Sequence, residues 1–314
     1  ALVRTAAAVR DFVARISCEE ICFALLFGAY YFNDPVFYKK AKTILIPELQ
    51  EQVLGDGGHF ERSPMYHCIM LYRVLDCYNL VRNNALFGKE LEDTLKEKAG
   101  GMLGWLEEVV YSDGRIPLLN DAAVGIAPTA KELIEYGQRL GIFCSKKVRL
   151  KESGYRKFRW GKFELFIDVG EVGPDYQPGH AHADTFSFEL YINGRPVIVD
   201  TGTSTYEVNN TRFYERSTAA HNTVVVFGQN SSQVWAGHRV ARRARIQVLC
   251  DEEKRIVAVH DGYKRLGCLH TRKMEKMEEH IRIVDEIDCE GTAYLHFMPA
   301  LVIVPTSSES LSLL

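Results

Sequence analysis

The spacing of apolar residues changes once along this chain, and that change limits the folds open to it. Before about residue 145 they recur at helical intervals: Leu45, Leu49 and Val53 every four, and Leu71, Val74, Leu75 and Tyr78 at i, i+3, i+4 and i+7. Leu91, Leu95, Met102, Leu106 and Val109 form a longer stripe that Gly100-Gly101 is expected to break, and residues 129–140 read as a last helix. Residues 22–32 are apolar on every side, which predicts an inner, buried helix. From Gly154 onward the apolar residues come instead in short β-branched or aromatic runs between turns: 163–168, 186–192, 196–200, 223–227, 245–249, 255–260 and 280–284. Strands without intervening helices imply antiparallel pairing and a sandwich.

The expected fold class is therefore α+β and multidomain, with a helical part over residues 1–147 and an antiparallel β-sandwich over residues 148–314. A short basic connector, residues 144–154, marks the junction. Within the helical part, Asp56-Gly57-Gly58 with Pro64 is echoed by Asp113-Gly114-Arg115 with Pro117. One helical hairpin per repeat suggests an α/α toroid or solenoid, incomplete because only about five helices are visible.

At 314 residues and 46% hydrophobic content the chain can bury a sizeable core. A formal net charge of −3 gives no electrostatic reason to expect nucleic acid. Arg239, Arg242, Arg243 and Arg245, and then Arg272 and Lys273, read as a solvated strand face, with an anionic ligand as the alternative. The 8 cysteines have no framework spacing and read as buried thiols. No run has transmembrane length and no leader is evident, which fits a cytoplasmic chain or one that has lost its targeting end.

Chemistry concentrates in Pro178-Gly179-His180-Ala181-His182-Ala183-Asp184. If residues 180–192 are one strand, His180, His182 and Asp184 share a face that turns apolar at Phe186 and Phe188. Asn193-Gly194 predicts a hairpin that returns Asp200 beside the histidines, and His221 precedes a third strand. Such a set suits a zinc-type ion or a hydrogen-bonded sheet edge equally. The second polar stretch, residues 56–67, opens a helix, with Ser63 as N-cap and Pro64 as first helical residue. Tyr66 then lies in the first turn, where the helix dipole eases phenolate formation, or it is simply a packed tyrosine.

These blocks, with Arg212, Tyr214 and His221-Asn222-Thr223, resemble the heparinase II/III family of polysaccharide lyases. The resemblance implies an incomplete α/α toroid followed by a β-sandwich, cleaving a uronate-containing acidic polysaccharide by β-elimination. It makes Tyr66 and His180 the catalytic pair, with the cleft along the domain interface. His182, Asp200 and His221 take the positions that hold a structural zinc ion. His59, Glu61, Arg212 and Tyr214 are expected on the substrate. No membrane insertion is expected, and the family acts in the periplasm or cell envelope. Where the family places an Asn-His pair to neutralise the uronate, this chain has Ile16 and Ser17. The alternative is thus a catalytically inactive carbohydrate-binding or polysaccharide-assembly protein on the same scaffold. A glycoside hydrolase using Glu61 and Asp184 is a third possibility, requiring carboxyls about 5–10 Å apart.

Overall fold

The computed structural model describes residues 18–144, 148–299, 303–307 and 310–313. Ile16 and Ser17 lie outside the described residues. Two compact units emerge. The first holds the described residues up to Phe60, Tyr66–Glu108 and Ala127–Ser153; the second holds Glu61–Met65, Val109–Ile126 and the chain from Gly154 on. The chain passes between units more than once, since two loops of the helical part belong to the strand-rich unit.

The helices are α1 (Cys18–Phe32), α2 (Pro35–Gln52), α3 (Pro64–Arg82), α4 (Lys89–Val109) and α5 (Ala130–Arg139). Leu45 and Leu49 of α2 and Leu71, Val74, Leu75 and Tyr78 of α3 are buried, as the spacing predicts. Thr129 caps α5 in a reciprocal box with Glu132. Two expectations are corrected. Gly100-Gly101 does not break α4; Gly57 (φ +85°) packs so closely there that a Cβ on it would collide with the Gly101 carbonyl. And α1 buries only one face, Cys22, Leu26 and Ala29, while Phe27 and Tyr31 are 44% and 80% exposed. Uniform apolarity says nothing about which faces find a partner.

The two Asp-Gly loops fold alike. Asp56 Oδ1 accepts from Gly58 N and Asp113 Oδ1 from Arg115 N, each at 3.0 Å. Gly57 N reaches Leu54 O, and Gly114 N reaches Tyr111 O. Both central glycines have left-handed φ, so the echo is a repeated turn.

In the second unit, β1 (Tyr155–Trp160), β2 (Phe163–Asp168), β3 (Phe188–Ile192) and β4 (Arg195–Ile198) form an antiparallel sheet in that order. Asn193 and Gly194, both at positive φ, make the β3–β4 hairpin. After helix α6 (Asn210–Glu215) come β5 (Val224–Val226), β6 (Gln233–Trp235) and β7 (Arg239–Ala241). Strands β8 (Ile246–Asp251), β9 (Arg255–His260), β10 (His270–Lys276) and β11 (Ile281–Ile287) make a second sheet. Phe163, Leu165, Phe186, Phe188, Ile256 and Met274, drawn from both sheets or their edges, share one core. Strands β12 (Gly291–Ala293), β13 (Ile303–Ser307) and β14 (Ser310–Leu313) follow, β12 pairing with β5.

Three further expectations are corrected here. Residues 180–187 are not strand: Phe186 has φ +71° and Ser187 N closes a turn on Asp184 O. Cys268 and Cys289 are joined in a disulfide, although Cys22, Cys68 and Cys77 are buried thiols. Arg272 is 4% exposed and not part of a solvated face.

Candidate active site

The site in the second unit is built around a carboxylate that the sequence reading passed over. Past the second Asp-Gly turn the chain runs to Asn120, whose φ of 58° turns it sharply before Asp121. Asp121 N donates to His180 O at 3.0 Å, and Thr203 N to Ala122 O at 2.9 Å. Gly202 (φ +59°) is required there, because a Cβ would collide with the Ala122 carbonyl. The 178–187 loop is pinned from several sides. Asn120 Oδ1 accepts from His182 N at 3.0 Å, Arg216 donates to Ala181 O at 3.0 Å, and Thr218 Oγ1 to Ala183 O at 2.7 Å.

Five donors converge on the buried Asp121 carboxylate. His182 Nε2 and Thr203 Oγ1 reach Oδ1 at 2.8 Å each, His180 Nδ1 reaches Oδ2 at 2.9 Å, and Arg212 grips both oxygens. Burial alone would raise the Asp121 pKa, but hydrogen bonds from His180, His182 and Arg212 hold it well below the usual carboxylate range. An ionised carboxylate only accepts, so both ring nitrogens facing it carry protons. The lone pair of neutral His180 therefore sits on Nε2, and that of neutral His182 on Nδ1.

His180 keeps 21% of its side chain exposed, and its Nε2 lies 3.7 Å from Glu61 Oε2. Burial, and the charge of Asp121, push the Glu61 carboxyl above its ordinary value, against the pull of His180. Gln177 donates to Glu61 Oε1 at 3.1 Å. Exposed Tyr206 and His238 stack at 5.5 Å, each with its ring about 6 Å from that of His180.

Behind this face lies a fully buried set. His221 Nδ1 sits 2.9 and 3.1 Å from the Asp200 oxygens, and the His182 and His221 rings are 5.3 Å apart. Burial lowers the His182 pKa, favouring neutral imidazole, whereas Asp200 raises that of His221 despite burial. His182 Nδ1, His221 Nε2 and Asp184 Oδ2 are buried without a hydrogen-bond partner. Orphaned imidazole nitrogens beside a carboxylate are what a zinc-type ion takes, and each histidine holds a carboxylate through its other nitrogen, as metal-binding histidines commonly do. The donor chemistry thus fits zinc. Distance alone selects another trio, since ligand atoms of Asp121, His180 and His238 lie within 4.8 Å of one another. That trio is the poorer cation site, because Arg212 already neutralises Asp121 on both oxygens.

Among the other expected site residues, Tyr66 is half-buried in the first turn of α3, within the helical unit. His59 is buried in that unit with Nε2 3.4 Å from Gln52 Oε1. Tyr214 is 50% exposed on α6. Two expectations fail on burial. Arg212 is 0% exposed and spent on Asp121 and the Gly237 carbonyl, so it does not reach substrate. Asp184 is 2% exposed, which removes the Glu61–Asp184 hydrolase pair. Sequence reading missed Asp121, Asn120, Tyr206 and His238, and gave Thr203, which closes the stretch begun by Asp200, no role; only the position of Asn120-Asp121 just past the second echo turn could have drawn attention.

Residues 145–312 match the family model Heparinase II/III-like, C-terminal, and residues 33–148 match Heparinase II/III N-terminus. The chain is 25% identical over 324 residues to a heparin-sulfate lyase of Bacteroides stercoris, covering 91% of this chain and 46% of that protein. It is 26% identical over 267 residues to FtsZ-localized protein C of Caulobacter vibrioides, covering 79% of this chain and 44% of that protein. Among solved structures, a heparinase III superposes with a TM-score of 0.67 at 20% identity over 91% of this chain and 48% of that one. A mutant heparan sulfate lyase from Pedobacter heparinus gives 0.69 at 19% identity, over 89% and 47%. This chain spans less than half the length of each of these proteins, and the structural likeness is one of fold.

Proposed function

The chain belongs to the heparinase II/III family, and we propose that it cleaves a uronate-containing acidic polysaccharide by β-elimination. The observation that carries this is His180: a partly exposed imidazole whose Nδ1 is held by an ionised carboxylate, leaving Nε2 as its basic nitrogen. The proton on C5 of a uronate is weakly acidic, and its removal needs a positioned base and relief of charge on the neighbouring carboxylate. In the proposed reaction His180 Nε2 takes that proton and the C5–H electrons form the C4=C5 double bond. The C4–O4 bond breaks, and O4 takes a proton from Tyr66. The products are a saturated reducing fragment and a fragment ending in an unsaturated uronate. Glu61, whose Oε2 lies 3.7 Å from His180 Nε2, is proposed to border the bound uronate, and Tyr214 to make an outer sugar contact.

The helical unit is read as a portion of an α/α toroid and the two core-sharing sheets as a β-sandwich, which the likeness to the heparinase III fold supports. Zinc is proposed between His182 Nδ1 and His221 Nε2, where it would cross-link loop and strand ends without entering the reaction; Asp200, expected as the third ligand, instead holds His221 through Nδ1, and the orphaned carboxylate oxygen beside the two rings is Asp184 Oδ2. Action in the periplasm or cell envelope belongs to the same proposal. The Cys268–Cys289 disulfide supports an oxidising compartment, and among the described residues no helix is long and apolar enough to cross a membrane.

The test is ultraviolet absorbance of the unsaturated uronate over a panel of acidic glycans. Wild type is expected to produce it on at least one glycan, and His180→Ala and Tyr66→Phe to abolish it. The second reading, a catalytically inactive glycan-binding or assembly protein, is favoured by the similarity to a protein named for localisation with FtsZ. Glycan binding without any product would establish that reading instead.

A further inference from the structure

We propose that Asp121 is a positioning residue that sets the tautomers of two histidines at once, giving His180 a basic Nε2 for substrate and His182 a bare Nδ1 for an ion. This deepens the reading of the site as a lyase with a structural metal, and part of its test is independent of both. One carboxylate faces His180 through Oδ2 at 2.9 Å and His182 through Oδ1 at 2.8 Å, the two residues lying 59 and 61 positions further along the chain. Thr203 and Arg212 supply the remaining donors, and Arg212 is itself fixed by donating to Gly237 O at 3.0 Å from Nε and 2.8 Å from Nη2.

A carboxylate has about four lone-pair positions, so with five donors around it no orientation is left to choose. Every neighbour is a donor, and only a group accepting through both oxygens satisfies them. Each imidazole is thereby forced to place its proton toward Asp121. His182 Nδ1, the nitrogen left over, is buried and lacks a hydrogen-bond partner. A second accepting group for either ring would serve one function; a shared one ties the catalytic imidazole to the ion-binding one.

The substitution that isolates this role is Asp121→Asn, which keeps the shape and exchanges one acceptor oxygen for an NH2 group. If the amide nitrogen turns toward His180, that ring must accept through Nδ1 and carry its proton on Nε2, which destroys the base. If it turns toward His182, the proton moves to Nδ1 and closes that nitrogen to a metal. Replacing the carboxylate behind a catalytic imidazole with an amide costs about 10⁴-fold in the serine protease case, through the wrong tautomer.

The experiment is 15N NMR of the full chain labelled at histidine, with signals assigned by their loss in His180→Gln and His182→Gln. Wild type is expected to show a protonated Nδ1 on His180 and a protonated Nε2 on His182. Asp121→Asn is expected to reverse one of the two: reversal at His180 lowers kcat about 10³-fold or more with KM little changed where the lyase activity exists, and reversal at His182 leaves kcat in place and lowers the zinc content. The opposite tautomer on either ring of the wild type, or an unaltered pattern in the variant, overturns the inference. Should Asp121→Asn fail to fold, the wild-type spectrum decides alone. Absence of elimination on any uronate glycan defeats the proposed reaction, and the ring tautomers then still decide this inference.

Discussion

The strand-rich unit holds two His-Asp-Arg clusters that differ in how they end. In the first, Asp121 receives His180 and His182 side by side, with Arg212 gripping both oxygens. In the second, the same residue types stand in series. Gly262 N donates to His260 Nδ1 at 3.1 Å, His260 Nε2 to His270 Nδ1 at 3.0 Å, and His270 Nε2 to Asp285 Oδ1 at 2.7 Å. Arg272 grips both Asp285 oxygens and donates onward to the carbonyls of Phe186 and Asn222. Each ring nitrogen of the second cluster is used within the fold. The first leaves His182 Nδ1 unpartnered and His180 partly exposed. Composition is the same; the unused nitrogen distinguishes a site from a brace.

Substitutions can break that contrast. His180→Ala should cost the most activity, about 10²–10⁴-fold in kcat, with the melting temperature nearly unchanged; a large loss of stability would make His180 a brace as well. Arg272→Ala should do the reverse, destabilising by about 2–4 kcal/mol in a denaturant titration because the partly buried Asp285 loses its cation and the Phe186 and Asn222 carbonyls lose their donor. Retained stability there would mean that the second cluster is dispensable. His182→Ala should lower both metal content and melting temperature by a smaller amount, and pure protein without near-stoichiometric zinc would remove the metal from the account.

The smallest effect expected is pH dependence. Burial lowers the pKa values of His260 and His270 below the ordinary imidazole value, so the unfolded chain binds those protons first. Their contribution is present above about pH 6.5 and shrinks as the pH falls below it. Burial would raise Asp285, but Arg272 and His270 outweigh it and hold the carboxyl below its usual range, so its contribution is lost on further acidification. Melting temperature should therefore decline steadily from neutral pH downward, and a flat profile to pH ~4 would contradict the buried, neutral state of His260 and His270.

What could be read in advance follows the range of the forces involved. The stripe on α3, the helix starting near Thr129 and the Asn193-Gly194 hairpin depend on neighbours a few residues away, and the sequence displays them directly. Strand β10 went unseen because its inward positions His270, Arg272 and Met274 include a charge, which looks solvated until Asp285 is placed opposite. The 180–192 run looked like one strand because alternation is visible, while the turn at Phe186, braced by the distant Arg272, is not. Asp121 was invisible for the same reason. Apart from its place just past the second Asp-Gly turn, nothing near it in sequence marks an aspartate whose partners lie about sixty residues or more away.

The most direct test is the mass of the products made by the purified protein from a defined uronate-containing oligosaccharide. Elimination with His180 as base predicts one fragment lighter by a single water than its hydrolysis counterpart, and none when His180 is replaced. Fragments of full hydrolytic mass, or the same light fragment from the His180→Ala protein, would contradict it.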